Sequence, residues 1–259
     1  MGFRALLDTM PLWLTFVTTA ALFIGCWAAG FRLGRRQRTS GDGESLEGEI
    51  VGAALGLLAF ILAFTFGMAE DRFDARRSAM LEEAIVLRNA YLRAGLVAAP
   101  HRDTVRTLLQ QYLDARIEGV RTLDLATLRR RSDVLHDELW ARAVAMAVDD
   151  RSDVTVMAVE GVNQVVELHV RRLALVNARV PEIIWLALYG LSILSMVLVG
   201  HHEGAKRDRQ PFGVVVLAVA FALVILLIDD LDRPTRGLLT VNQGPMLELR
   251  AWMDSTKAP

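Results

Sequence analysis

Three closely spaced carboxylates are the side chains in this sequence best suited to hold a cation. Asp229, Asp230 and Asp232 directly follow a long apolar run, and Arg233 and Arg236 come after them. Neighbouring carboxylates repel one another unless a cation, an arginine or water compensates their charge, and carboxylate oxygens are ligands that Ca²⁺ prefers. The pattern leaves two interpretations: a calcium-type site or cation-attracting vestibule, and ion pairs with the two arginines. We favour the ion pairs.

The histidines are weaker candidates for a metal site. His201, His202 and Glu203 have metal-ligating side chains, but they lie in a short stretch between two apolar runs, where we expect a solvated cluster in a loop. His169 would have only Val165 and Leu173 beside it on one face of a helix. We therefore interpret His169 as a core or interface histidine.

No set of residues predicts an enzyme. The sequence has no glycine-rich phosphate-binding loop with lysine, no His-Glu-x-x-His motif and no nucleophile elbow. We therefore expect no enzymatic activity and no cofactor; a cation at the three aspartates is the alternative that the sequence leaves open.

The composition indicates a chain whose apolar and charged residues are separated into blocks. Hydrophobic residues make up 53% and charged residues 23%, and the mean hydropathy of +0.33 is high for so many charges. The formal net charge of −1 provides no basic field that would recruit nucleic acid. Cys26 is the only cysteine, which excludes an intrachain disulfide.

Four uncharged apolar runs are long enough to cross a bilayer as helices. Each approaches the roughly 20 residues that an α-helix needs to cross hydrocarbon about 30 Å thick. Inside a bilayer such a helix satisfies its own backbone hydrogen bonds. The runs cover residues 11–30, 50–69, 183–200 and 212–228.

The segment between the second and third runs has the pattern of helices alone. The second run continues without a helix breaker as far as Pro100, a later helix covers Leu125 to about Asp149, and Asp153 is the expected N-cap of the next. The predicted fold is all-α, with four transmembrane helices in two hairpins and an intervening extramembrane helical bundle. We predict a first hairpin over 1–69, the bundle over 70–180, a second hairpin over 181–229 and a C-terminal tail over 230–259.

Two glycines four residues apart mark a packing face on the second apolar run. Gly52 and Gly56 form a G-x-x-x-G pair, and small residues at this spacing allow helices to approach closely. We expect a helix contact at this face, either within the chain or between subunits.

The residues that follow the second run form a family signature. They read AEDRFDARR, which includes Asp71, Arg72 and Phe73, and three further stretches, LEEA with AYLRAGL, RVPEIIW and LDRPTRGLL, belong to the same pattern. The chain resembles the bestrophin-like proteins of uncharacterised function over most of its length, and more distantly the bestrophin anion channels.

The match to the bestrophin signature is partial. Phe73 stands where that signature has its first tryptophan, and Asp74 departs from the second. The final arginine corresponds to Arg77 without a gap, or to Arg76 with a one-residue deletion.

The resemblance implies a pentameric channel for small inorganic ions, with a pore lined by the second membrane helix. The neck positions of the family fall on Phe60, Phe64 and Gly56; two aromatic rings fit an apolar constriction, whereas Gly56 would leave its level wide. Without the resemblance, we would expect Phe60 and Phe64 to face lipid or neighbouring helices. The three aspartates lie where bestrophins carry a calcium clasp, but Leu231-Asp232-Arg233-Pro234 replaces the Asn-Pro-Phe element of those channels.

Charges around the apolar runs leave the orientation open. Basic residues in both short loops favour the bundle outside the cytoplasm; they are Arg32, Arg35, Arg36, Arg38, Lys206, Arg207 and Arg209. The resemblance implies a cytosolic bundle and cytosolic termini in a protein of the cell inner membrane, and we follow it.

The alternative function is a non-conducting membrane scaffold or sensor whose bundle binds a protein partner. The apolar runs contain few polar residues and no charges, which suits helices that act only as anchors.

Overall fold

The computed structural model describes residues 9–36, 43–122, 125–206, 211–234 and 237–256, and its described elements are helices. They are α1 (Leu12–Arg36), α2 (Gly43–Ala94), α3 (His101–Thr122), α4 (Leu125–Asp149), α5 (Asp153–Asn177), α6 (Glu182–Lys206), α7 (Pro211–Asp232) and α8 (Gly244–Ser255).

Four helical segments are long and apolar enough to cross a membrane. They lie within 12–36, 47–94, 153–206 and 211–232. This confirms the predicted all-α fold with four membrane spans, and the chain is a multi-pass membrane protein. Helix α2 is much longer than one span because no proline or glycine cluster interrupts it between Gly67 and Ala94.

The chain divides into two compact units. The membrane unit comprises the residues up to Phe73 together with Arg179–Leu239, and the bundle comprises Asp74–Ala178 together with the residues from Thr240 onward. The segment 230–259, which we predicted as a tail, is thus shared between the two units.

Glycines hold α1 and α6 close together in the membrane unit. A side chain at Gly200 would overlap the carbonyl oxygen of Trp27, and one at Gly204 would overlap that of Phe31. Gly30 and Gly34 face α6 in the same way. The contacts advance together along both helices, so α1 and α6 are parallel. In lipid, helices gain little from burying apolar side chains against one another, because the lipid tails are themselves apolar. Close contact between helices is therefore a principal source of their association.

The bundle packs one face of α2 against α3, α4, α5 and α8. Its core is built from large apolar side chains of each helix, among them Leu87, Leu109, Leu139, Val162 and Met253. Helix α8 was not predicted; Trp252 places its ring 5.7 Å from that of Tyr91.

One local prediction was wrong. The N-cap of α5 is Ser152, whose hydroxyl accepts a hydrogen bond from the Thr155 N–H, and Asp153 is the first residue of the helix. Helix α2 continues beyond the apolar run as far as Ala94 and ends, before Pro100, in a turn closed by Gly95 and Leu96.

We expect Gly200→Ala to lower the apparent melting temperature of the purified protein by several degrees. The added methyl group overlaps backbone of α1, which cannot move aside as a flexible side chain can. Gly190→Ala on the same helix is the matched control, because nothing lies within 4 Å of its Cβ position. Equal melting temperatures for the two variants would contradict the close contact of α1 and α6.

Candidate functional site

One face of α2 has no partner among the described residues. Gly52, Gly56, Phe60 and Phe64 follow one another at intervals of four residues, so they lie along one side of the helix. Phe60 is 65% and Phe64 58% exposed, and no heavy atom lies within 4 Å of a Cβ built at either glycine. We call these four residues the open face of α2.

The opposite side of α2 is packed into the membrane unit. Leu58 and Leu62 are buried in its core, and the Ser195 hydroxyl of α6 donates to the Ala54 carbonyl at 3.4 Å. Among the described residues, the packing predicted at Gly52 and Gly56 is therefore not made within the chain. Packing of these glycines between subunits stays a prediction.

The signature residues differ in their surroundings. Arg72 donates to the Met68 carbonyl one turn back at 3.0 Å, and Phe73 packs against the core of the membrane unit. Asp71 and Arg77 are exposed, whereas Arg76 is buried. The signature thus combines partly or fully buried side chains, Arg72, Phe73 and Arg76, with the exposed charges of Asp71 and Arg77.

The aspartates at the end of α7 are buried and bonded to the protein. Asp229 accepts a hydrogen bond from the Arg233 guanidinium at 2.7 Å, which is the ion pair that we favoured. A second nitrogen of Arg233 donates to the Met10 carbonyl at 2.9 Å. Arg236, the other predicted partner, lies outside the described residues, as do Arg38, Arg207 and Arg209.

The other two carboxylates accept backbone hydrogen bonds. Asp230 accepts from the N–H groups of Leu238 and Leu239 at 2.7 and 3.0 Å, and Asp232 accepts from that of Val180 at 2.9 Å. A side chain at position 237 would overlap the Asp230 carboxylate and force it to shift.

These hydrogen bonds compensate the negative charges of the three aspartates, as a bound cation would otherwise do. Asp229, Asp230 and Asp232 are 4%, 1% and 3% exposed, so their charges need internal partners, and a guanidinium and three amides provide them. Within the described ranges, no group of three or more His, Cys, Asp or Glu side chains is arranged to hold a metal ion. The arrangement favours pairing of the carboxylates with Arg233 and with backbone N–H groups over binding of a cation.

The histidines between the third and fourth spans do not lie in a loop as we expected. His201, His202 and Glu203 belong to the last turns of α6 and are half-buried. Glu203 accepts from the Trp27 indole N–H at 3.1 Å, and His202 lies 3.8 Å from the Glu47 carboxylate. The side chains of His202 and Glu203 therefore contact neighbouring helices.

A buried polar cluster in the bundle was missed by sequence reasoning. Glu83 of α2 accepts from the Tyr112 hydroxyl at 2.7 Å, lies 3.2 Å from Arg116 Nε, and is also contacted by Arg172. Burial raises the pKa of Tyr112 to about 12 and lowers that of Arg172 to about 10. A single buried carboxylate of α2 thus connects this helix with α3 and α5.

Two histidine rings complete this cluster. The ring centroids of His136 and His169 are 4.3 Å apart, and Asp133 lies 3.3 Å from His169 Nε2. Burial, followed by the neighbouring His169, lowers the pKa of His136 to about 4, and burial and Arg116 lower that of His169. His169 is thus the core histidine that we predicted, with partners on other helices.

Comparison with known proteins gives one family match. The model of the family described as the bestrophin-like domain matches residues 12–246, which is most of the chain. No curated protein and no solved structure matches the chain.

We expect calcium to leave the stability of the protein unchanged. The aspartates at the end of α7 already have internal partners, so millimolar CaCl₂ or EGTA should shift the melting temperature by less than about 1 °C, well below the shift of several degrees typical of a saturated site. Differential scanning fluorimetry in detergent makes this measurement. A saturable calcium-induced rise that is lost in Asp232→Asn would contradict this account.

We expect acid to loosen the bundle. The unfolded chain binds a proton at His136 below its ordinary pKa of 6.5, whereas the folded chain binds it only below about 4. Stability should therefore be full above pH 6.5 and fall as the pH drops towards 4. Hydrogen–deuterium exchange of the bundle amides in the full-length protein measures this loss.

The His136→Phe variant should lose part of the acid sensitivity. The matched control is His101→Gln, whose histidine pairs with Asp149 at the surface; this variant should retain the sensitivity. If the exchange protection of His136→Phe falls between pH 7 and 4.5 as steeply as that of the wild type, the assignment is overturned.

Proposed function

The chain belongs to the bestrophin-like family, and we propose that several copies of it form an ion channel or channel-like assembly whose pore is lined by α2. The observation that carries the proposal is the open face of α2. Four consecutive turns of this helix present small and aromatic side chains that no other residue of the described ranges covers. A symmetric assembly would bring these faces together around one axis.

The chemistry of the open face suits an apolar constriction. Phe60 and Phe64 lie one helical turn apart, so copies arranged around an axis would form two stacked aromatic rings. Rings of this kind gate by excluding water. Gly56, one turn before Phe60, would widen the passage at its own level.

Several hydroxyl groups of the spans make hydrogen bonds within the membrane unit. Thr65 donates to the Ile61 carbonyl, Ser192 to the Leu188 carbonyl, and Thr19 shares a 2.9 Å hydrogen bond with Tyr189. These hydroxyl groups bond within the membrane unit and do not make the open face polar, so the proposed constriction is apolar. The proposed permeating species are small inorganic ions.

We place the bundle and the termini on the cytosolic side of the cell inner membrane. This placement rests on the resemblance to bestrophins. The arginines of the short loops, considered alone, favour the opposite orientation.

The internal hydrogen bonds of these three hydroxyl groups also favour a second candidate. A non-conducting scaffold or sensor needs apolar anchors and no polar path, and lipid would then cover Phe60 and Phe64. Phe212 of α7, which is 82% exposed, shows that a phenylalanine of this chain need not line a pore to remain uncovered.

We expect Phe60→Ala and Phe64→Ala to raise the current, or change the ion selectivity, of protein reconstituted in planar bilayers. Removing either ring widens and wets the constriction. Increases of tenfold or more are reasonable, because each 1.4 kcal/mol removed from a barrier accelerates passage about tenfold.

Phe212→Ala is the matched control, since it removes an exposed ring of another span and should leave the current unchanged. Identical currents for the wild type and all three variants would exclude Phe60 and Phe64 from a constriction. Absence of current from every protein, with recovery of a stoichiometric partner on the bundle, would favour the scaffold.

A further inference from the structure

Two buried polar atoms of the membrane unit have no hydrogen-bond partner among the residues that the structure describes. They are the hydroxyl oxygen of Thr15 on α1 and the indole nitrogen of Trp185 on α6, and each of these residues is only 1% exposed. A buried polar group without a partner is costly, so nearly all such groups bond to protein or to ordered water. Both atoms therefore need a partner that the described side chains do not supply.

The Thr15 hydroxyl differs from those of two other threonines in the spans. Thr18 donates to the Leu14 carbonyl at 2.7 Å, one turn back in its own helix. Thr65 donates to the Ile61 carbonyl at 2.7 Å in the same way. Within the described ranges Thr15 makes no such bond, so its hydroxyl is available to a partner outside α1.

The register of the two helices brings Thr15 and Trp185 to the same level. Helices α1 and α6 are parallel, and Thr19 shares a 2.9 Å hydrogen bond with Tyr189 across them. Thr15 lies one turn before Thr19, and Trp185 lies one turn before Tyr189 with the two rings 6.4 Å apart. The two unpartnered atoms therefore belong to residues that face each other one turn before a bonded pair, but they do not bond to each other.

A single water molecule suits the chemistry of this place. The indole N–H of Trp185 can only donate, and a water oxygen accepts from it. The Thr15 hydroxyl can accept a hydrogen bond from the same water, and the oxygens of Thr19 and Tyr189, one turn further on, can each accept another. Buried waters typically make about three hydrogen bonds of this kind.

We propose that one ordered water molecule bridges Thr15 of α1 and Trp185 of α6. The large rings of Trp185 and Tyr189 belong to the core at this level, so the two backbones cannot approach as they do at the glycines further along. The water thus supplies the contact between the first turns of the two spans. Both residues belong to one chain, so the inference does not depend on the proposed channel.

A double-mutant cycle on the purified full-length protein tests the bridge. Thr15→Val removes the hydroxyl at nearly constant volume, and it should lower the apparent melting temperature by several degrees because the water loses a partner. Trp185→Phe should lower it as well. The double variant should melt at about the same temperature as Trp185→Phe alone, since the first substitution already removes the interaction that the two residues share.

Thr65→Val is the matched control. Thr65 is 0% exposed, and its hydroxyl bonds only within its own helix, so this variant should melt close to the wild type. An unchanged or higher melting temperature for Thr15→Val would overturn the proposal, because valine relieves a hydroxyl that has no partner. Additive shifts in the double variant, or an equal fall in Thr65→Val, would overturn it too.

A cryo-EM map of the wild type in lipid nanodiscs, at a resolution that shows water molecules, separates a bridge from a direct contact. We expect density for one water within about 3 Å of both the Trp185 Nε1 and the Thr15 Oγ1 atoms. A direct hydrogen bond between these two atoms, or the absence of density between them, would overturn the proposal.

Discussion

The absence of water inside the bilayer is the constraint on which this structure depends. A backbone amide in hydrocarbon must find its partner within its own helix, so the spans are unbroken helices. Apolar burial contributes little to holding such helices together, because lipid is as apolar as their side chains. The membrane unit relies instead on close approach at Gly30, Gly34, Gly200 and Gly204 and on interhelical hydrogen bonds such as that of Thr19 with Tyr189.

Buried charges in both units are compensated by the chain itself. At the end of α7, Arg233 and three backbone amides balance three carboxylates and tie together segments distant in sequence, from Met10 to Leu239. In the bundle, Glu83 of α2 is paired with a hydroxyl and a guanidinium group of α3 and with a guanidinium group of α5. Removing one member of such a set leaves an uncompensated charge, so each set fixes the arrangement of the elements that supply it.

The sequence alone predicted the helices well, but it did not predict which helices and side chains contact one another. Uncharged runs identified the four spans, because bilayer thickness sets their length, and helix α4 begins and ends as predicted. The G-x-x-x-G pattern was noted at Gly52 and Gly56, whereas the close contact within the chain uses two other pairs of the same pattern on α1 and α6. The pairing of His136 with His169 was missed, because residues 33 positions apart on different helices meet only after packing is known.

The central claim is that other copies of the chain, and not lipid, cover the open face of α2. A cryo-EM structure of the protein in lipid nanodiscs tests this claim most directly. The account predicts several copies around one axis, with Phe60 and Phe64 of every copy turned towards it. A single copy, or an assembly in which both rings lie against lipid acyl chains, would contradict it.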